Sequence, residues 1–229
     1  MQQQPDQAVE TAIAQVGGYL LTQYRDADGV LHAANAVSAL GAWAGMFAQL
    51  QARALFAAGV IPQSNTAMLE VKTNDGQIYF FGDAINACLF EQNETFLSFW
   101  NLAASVANDP DVAAKVDVLE MAKRTAQTIG GPMFGLPKVD PAYGLSERPI
   151  DALRAHGPAL QRFLVELKLE SAKLMLVFGA VAQHFAVFAA GEAPDMRVSA
   201  PMKRLDIVRL YMESAMPMSK MDPIAVGFA

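Results

Sequence analysis

Residues 158 to 190 read PALQRFLVELKLESAKLMLVFGAVAQHFAVFAA, and their spacing restricts what the rest of the chain can build. Leu160, Leu164, Leu167, Ser171, Leu174, Phe178, Val181, Phe185 and Phe188 alternate steps of four and three, which holds a seam on one helix face. One helix over this span would be about 50 Å long at ~1.5 Å per residue. Its first half has a polar side with Gln161, Arg162, Glu166, Lys168 and Glu170, whereas 174 to 191 contain no Asp, Glu, Lys or Arg. A charge-free half-helix needs cover on every side, from the rest of the chain, from a second copy or from lipid.

Lipid is the least fitting cover. The stretches 174–191 and 29–52 approach the length that spans a bilayer. The first, however, holds Gln183 and His184 near its centre, and the second is mostly Ala, Gly and Ser with His32, Asn35 and Gln49. A membrane-associated helical protein is therefore kept only as a second alternative. With 53% hydrophobic and 17% charged residues among 229, the chain has ample material for a core and a buried interface. A net charge of -6, with paired basic residues only at Lys123-Arg124 and Lys203-Arg204, argues against nucleic-acid binding. No basic n-region followed by an apolar run precedes Arg25, so the expected location is cytoplasmic. Cys88 is the single cysteine and rules out an intrachain disulfide.

The remaining chain reads as mostly α: a single-domain bundle with one β-hairpin, the alternative being a subdivision at the loop 130–149. A first helix spans 7–24, with Pro5-Asp6 as its start signal, Val9, Ile13, Val16 and Leu20 facing inward and Gly17-Gly18 as a weak point. A second spans 31–58. Its Ala34, Val37, Gly41, Ala44, Gly45 and Ala48 form a shallow groove, into which the large residues of the Phe178 to Phe188 ridge are expected to fit. The hairpin is expected at about 68–81, two runs of β-formers flanking Asn74-Asp75-Gly76. Two strands alone are marginal, so they must pack on helices or on a second copy. Further helices are expected at 84–90, 94–107, 110–129 and 201–214, and a short one from Pro149 that His156-Gly157-Pro158 interrupts.

Chemical motifs are scarce. Asp26, Asp28 and Gly29 imitate a calcium loop, but Asn35 stands where the bidentate carboxylate belongs. Gly130 and Gly135 have phosphate-loop spacing, but Leu136-Pro137 replaces the required Lys and Ser/Thr. His32, His156 and His184 show no metal spacing, and no metal site is expected. Met216, Met218 and Met221 fit an apolar docking segment better than a copper site. The loop 130–149, with four Gly and four Pro, is long enough to be functional or to wrap a partner.

The favoured function is a non-catalytic one: binding of a small apolar molecule, or assembly as a homo-oligomer, most simply a homodimer. The expected ligand site comprises Trp43, Phe178, His184 and Phe185, closed by the loop 130–149, because aromatic walls with one polar anchor suit an apolar ligand carrying one polar group. The alternative is an enzyme using dispersed groups such as Asp83, Arg148 and His184. No cofactor follows from the residues.

Overall fold

The central element is the helix over 33–57, and its burial on nearly every face explains the run of Ala and Gly in its sequence. The computed structural model describes residues 7–91 and 95–228, so the start signal at Pro5-Asp6 and the proposed helix start at Glu94 lie outside it. In order, the elements are α1 (Gln7–Tyr24), β1 (Val30–Leu31), α2 (Ala33–Ala57), β2 (Leu69–Lys72), β3 (Ile78–Phe81), α3 (Asp83–Leu89), α4 (Phe99–Ala103), α5 (Val112–Lys115), α6 (Val118–Thr128), α7 (Pro149–Glu166), α8 (Leu174–Ala189), β4 (Arg197–Val198) and α9 (Arg204–Met218). The protein is mostly α, with two small two-stranded sheets.

The small face of α2 is filled by α9. A Cβ on Gly41 would lie 3.0 Å from Tyr211 Cα and from Ser214 Cβ, and one on Gly45 only 2.8 Å from Ala215 Cα. The expected occupant, the aromatic ridge of α8, packs on a different side of α2, where Phe178 stacks on Phe47 with ring centroids 4.7 Å apart. The pairing of the two helices holds, but the groove assignment does not. Small residues on both partners, Gly41 and Gly45 against Ser214 and Ala215, let two backbones approach more closely than a ridge of phenylalanines allows. Ser38 and Ser214 join hydroxyls across this crossing at 3.1 Å. On α8 the small residue is Gly179, which receives Leu102 after α4's entry into the core.

The expected long helix is two helices. Lys168 takes a left-handed conformation (φ 54°). Its N–H donates to Val165 O at 2.9 Å and the Leu169 N–H to Leu164 O at 3.2 Å. This is the double bond pattern of a Schellman cap, here with lysine in the place glycine usually takes. The seam survives the break, since Leu160 and Leu164 of α7 and Leu174, Phe178, Val181 and Phe185 of α8 are all buried. The interruption expected at Pro158 does not occur. The carbonyl that Pro158 leaves without a donor belongs to the exposed Arg154 and can be hydrated, while Gly157 leaves room for the Phe228 ring. The helix expected over 110–129 is likewise split, into α5 and α6.

The hairpin forms as expected, with Leu69 opposite Phe81 and Lys72 opposite Ile78. Gly76 at φ 86° closes its turn, donating to Thr73 O at 2.9 Å. Its support comes from the segment after α9: Phe80 N–H donates to Lys220 O at 2.7 Å, and Tyr79 bridges to Met221. Met216 and Met218 at the end of α9 and Met221 just after it are buried and dock this part of the chain within the protein. The parallel pair β1–β4 was not expected, because two-residue strands carry no periodicity.

The loop 130–149 is strapped to the helices by polar contacts. Tyr143 donates to Asp206 at 2.8 Å, Ser146 N–H donates to Asn35 Oδ1 at 2.9 Å, and Lys138 N–H donates to Glu213 at 3.3 Å. Glu213 also pairs with Arg124 of α6. The carboxylate is only 4% exposed, so Arg124→Met would leave it buried with little compensation. Water reaches the arginine side of the pair, and the expected loss is about 2 kcal/mol, read as a lower urea midpoint.

Candidate functional site

The four residues expected to form one pocket are divided between the core and a surface groove. Trp43 is fully buried on α2 and donates its indole N–H to Ala152 O at 3.3 Å. Phe178 is buried against Phe47. His184 is exposed and, with the buried Phe185, lines a groove of about 170 Å³ between α8 and Ile13, Gly17 and Leu21 of α1. Neither Trp43 nor Phe178 reaches this groove, and no residue of the loop 130–149 covers it. The dispersed groups of the enzyme alternative are not gathered either. Asp83 opens α3 and accepts from Thr66 at 2.6 Å, Arg148 precedes α7, and His184 stands on α8.

Trp43 meets a different histidine. His156 of α7 sits among three aromatic rings, edge-on to each: Tyr19 at 5.6 Å, Trp43 at 5.9 Å and Tyr24 at 6.1 Å between centroids. Val9, Ala12, Val16 and Leu20 are the buried stripe of α1, and burying that stripe carries Tyr19 and Tyr24 onto α7. Proline at the first turn of α7 and the continuity of the helix through Pro158 then set His156 at the level of the two tyrosines.

Hydrogen bonds fix the roles of these groups. The Tyr19 hydroxyl and His156 Nδ1 are 2.9 Å apart. Tyr24 donates to Glu147 Oε2 at 2.6 Å. Burial pushes the His156 imidazolium pKa down, against the pull of the Glu147 charge, so the ring is neutral at pH 7. Burial pushes the Tyr19 phenol up, and burial followed by the Glu147 hydrogen bond and charge pushes Tyr24 up further. Between a neutral imidazole and a protonated phenol the phenol is the stronger acid. Tyr19 therefore donates to Nδ1, which leaves Nε2 carrying the ring proton.

Tyr19 is also the wall of an opening of about 230 Å³. Gln15 joins it from α1, and Ala159, Leu160 and Phe163 line the other side from α7. Gln15 and Tyr19 are the lining residues that carry polar side-chain groups, and the rest of the lining is apolar. Sequence reasoning missed it because nothing local links Tyr19 to His156, which is 137 residues away. The two residues carry no shared spacing, and the only local hint was an aromatic pair on a helix with an otherwise aliphatic stripe.

Among the described residues no group of three His, Cys, Asp or Glu side chains is placed to hold a metal ion. One stretch, Ser171–Ala189, is apolar and long enough to cross a membrane, and more than half of it is buried inside the protein. The site thus belongs to a mostly α protein with an apolar, tyrosine-anchored opening. Comparison with protein-family models, curated proteins and solved structures gives no match to this chain.

Proposed function

We propose that the protein binds a small, largely apolar molecule with one polar group in the opening between α1 and α7. The observation that carries this reading is the Tyr19 ring, which walls the opening with Leu160 and Phe163 while its hydroxyl is held by His156. Apolar walls with few, fixed polar groups are the usual make-up of a small-molecule site. The volume of about 230 Å³ exceeds the ~150 Å³ that accommodates benzene, which sets the ligand at one ring with a short substituent.

Native mass spectrometry of the purified chain tests retention of such a ligand, and calorimetric titration with p-cresol and toluene tests the site directly. Ala159→Trp should fill the opening and abolish binding of both probes. Tyr19→Phe should weaken p-cresol about tenfold, the size of one lost hydrogen bond, while toluene is unaffected. His184→Leu should change neither. Loss of binding in the His184 variant, with Ala159→Trp silent, would move the site to the α1–α8 groove that His184 and Phe185 line.

Homo-oligomeric assembly is the second reading, and α8 favours it. Its charge-free sequence leaves Leu176 37% and Val187 36% exposed, apolar side chains that a second copy in a two-fold dimer could cover. Light scattering that reports a monomer at micromolar concentration would remove this reading. A cytoplasmic setting remains part of the proposal.

A further inference from the structure

The two ends of the loop 130–149 meet in a cleft on the other side of α7, and the hairpin and the end of α9 with the residues after it meet there too. Phe134 enters from the start of the loop, Arg148 from its end, Arg154 from α7, Tyr79 from β3, and Met218 and Met221 from the C-terminal segment. The space is about 250 Å³. No Asp or Glu lines it, in a chain whose net charge is -6. Arg148 and Arg154 are exposed, and neither makes an ion pair or a hydrogen bond among the described residues.

The other polar groups of the wall are already committed. The Tyr79 hydroxyl donates to Gln77 at 2.8 Å. The Gln77 amide donates in turn to Asp75 at 2.7 Å. The two guanidinium groups are therefore the open donors of the cleft, and guanidinium matches a carboxylate or phosphate in planar, two-pronged geometry. Apolar side chains form part of the remaining wall, beside Gln77 and the backbone of Gly130 and Gly131. Phe134 meets Tyr79 edge-on at 5.1 Å, and the buried Met218 and Met221 lie behind the cleft, where their flexible thioether side chains can shift to admit a hydrocarbon body.

From this juxtaposition we infer that the cleft binds a small organic monocarboxylate, its carboxylate against Arg148 and Arg154 and its apolar body against Phe134, Met218 and Met221. Inorganic phosphate would use the arginines and waste the apolar wall. A nucleotide is too large, since scaling from benzene in ~150 Å³ gives a ligand of about ten non-hydrogen atoms. Neither the ligand nor the residues are shared with the opening between α1 and α7.

The test is calorimetric titration of the full chain with hexanoate and benzoate, with hexanol and inorganic phosphate as the neutral and non-apolar comparisons. At least one carboxylate should bind, and both comparisons should bind tenfold or more weakly than it. Arg148→Gln and Arg154→Gln should each weaken the carboxylate about tenfold, the double variant should abolish it, and added salt should weaken it in the wild type. Both arginines are exposed, so the melting curves of the variants should match the wild type. Ala159→Trp should leave carboxylate binding intact, which separates this site from the one between α1 and α7. Binding of neither carboxylate, equal binding of hexanol or phosphate, or an unchanged affinity in the double arginine variant would overturn the inference.

Discussion

Replacing Gly45 with alanine should destabilise the protein by about 3 kcal/mol or more, although alanine is the better helix former. The new methyl carbon would stand 2.8 Å from both Cα and the carbonyl carbon of Ala215, and these are backbone atoms that cannot rotate aside. Relief requires α2 and α9 to separate, and with them the core around Tyr211, Met212 and Trp43, all fully buried. Gly18→Ala is the control. Nothing lies within 4 Å of its added methyl group, so the exchange should stabilise α1 by about 0.5–1 kcal/mol. Urea midpoints of the two variants should move in opposite directions. Equal midpoints for Gly45→Ala and wild type would mean that α9 does not cross α2 at this residue. Gly18 also borders the α1–α8 groove, so a variant that is more stable yet less associated would support the second-copy reading.

Lys220→Met should raise stability by about 2 kcal/mol at pH 7, an unusual gain for removal of a charge. The Lys220 side chain is 3% exposed, and its ammonium donates to Asn86 Oδ1 at 3.1 Å with the Phe81 ring at 5.7 Å. Burial pushes its pKa down to about 8, only partly opposed by the charge of Glu91. A displacement of that size from the ordinary lysine value corresponds to about 3 kcal/mol against the charged form, and the donor lost from Asn86 returns part of it. The sign follows from proton counting. Below pH 8 both folded and unfolded chains hold this proton and the full penalty is present. Above it the folded chain releases the proton while the unfolded chain keeps it, so stability should rise with pH. Cys88 works the other way from about pH 9, because burial pushes its thiol up to about 12 and only the unfolded chain then ionises. The rise should therefore be clearest between pH 8 and 9 and should be missing in Lys220→Met. A flat wild-type profile in that window, or a lower midpoint for the variant, would show that the buried ammonium is better compensated than Asn86 alone allows.

The sequence by itself determined those elements whose cause lies within a few residues. α1, α2 and the hairpin follow from apolar spacing, from the small residues of 33–57 and from Asn74-Asp75-Gly76, and each of these signals can be read without knowing the distant partner that supports the element. The mostly α character follows from the same periodicity. Only the tertiary structure decided where α7 stops and what the helix faces touch. The four-three spacing runs on through 167–171, and a lysine in the left-handed region gives no composition signal, so the break after α7 depends on the Schellman bonds closing as α8 docks. Gly41 and Gly45 announced a close approach without naming the helix that makes it, since α8 and α9 both carry the small residues such an approach requires. The candidate site was the least legible. Trp43 was expected to share a pocket with His184, but the histidine beside it is His156, brought in with Tyr19 and Tyr24 from α7 and α1. His184, on the charge-free helix, faces outward. A helix pattern specifies which side is apolar, whereas the identity of the ring that fills a gap is settled by three helices packing at once, and that information is distributed over more than a hundred residues.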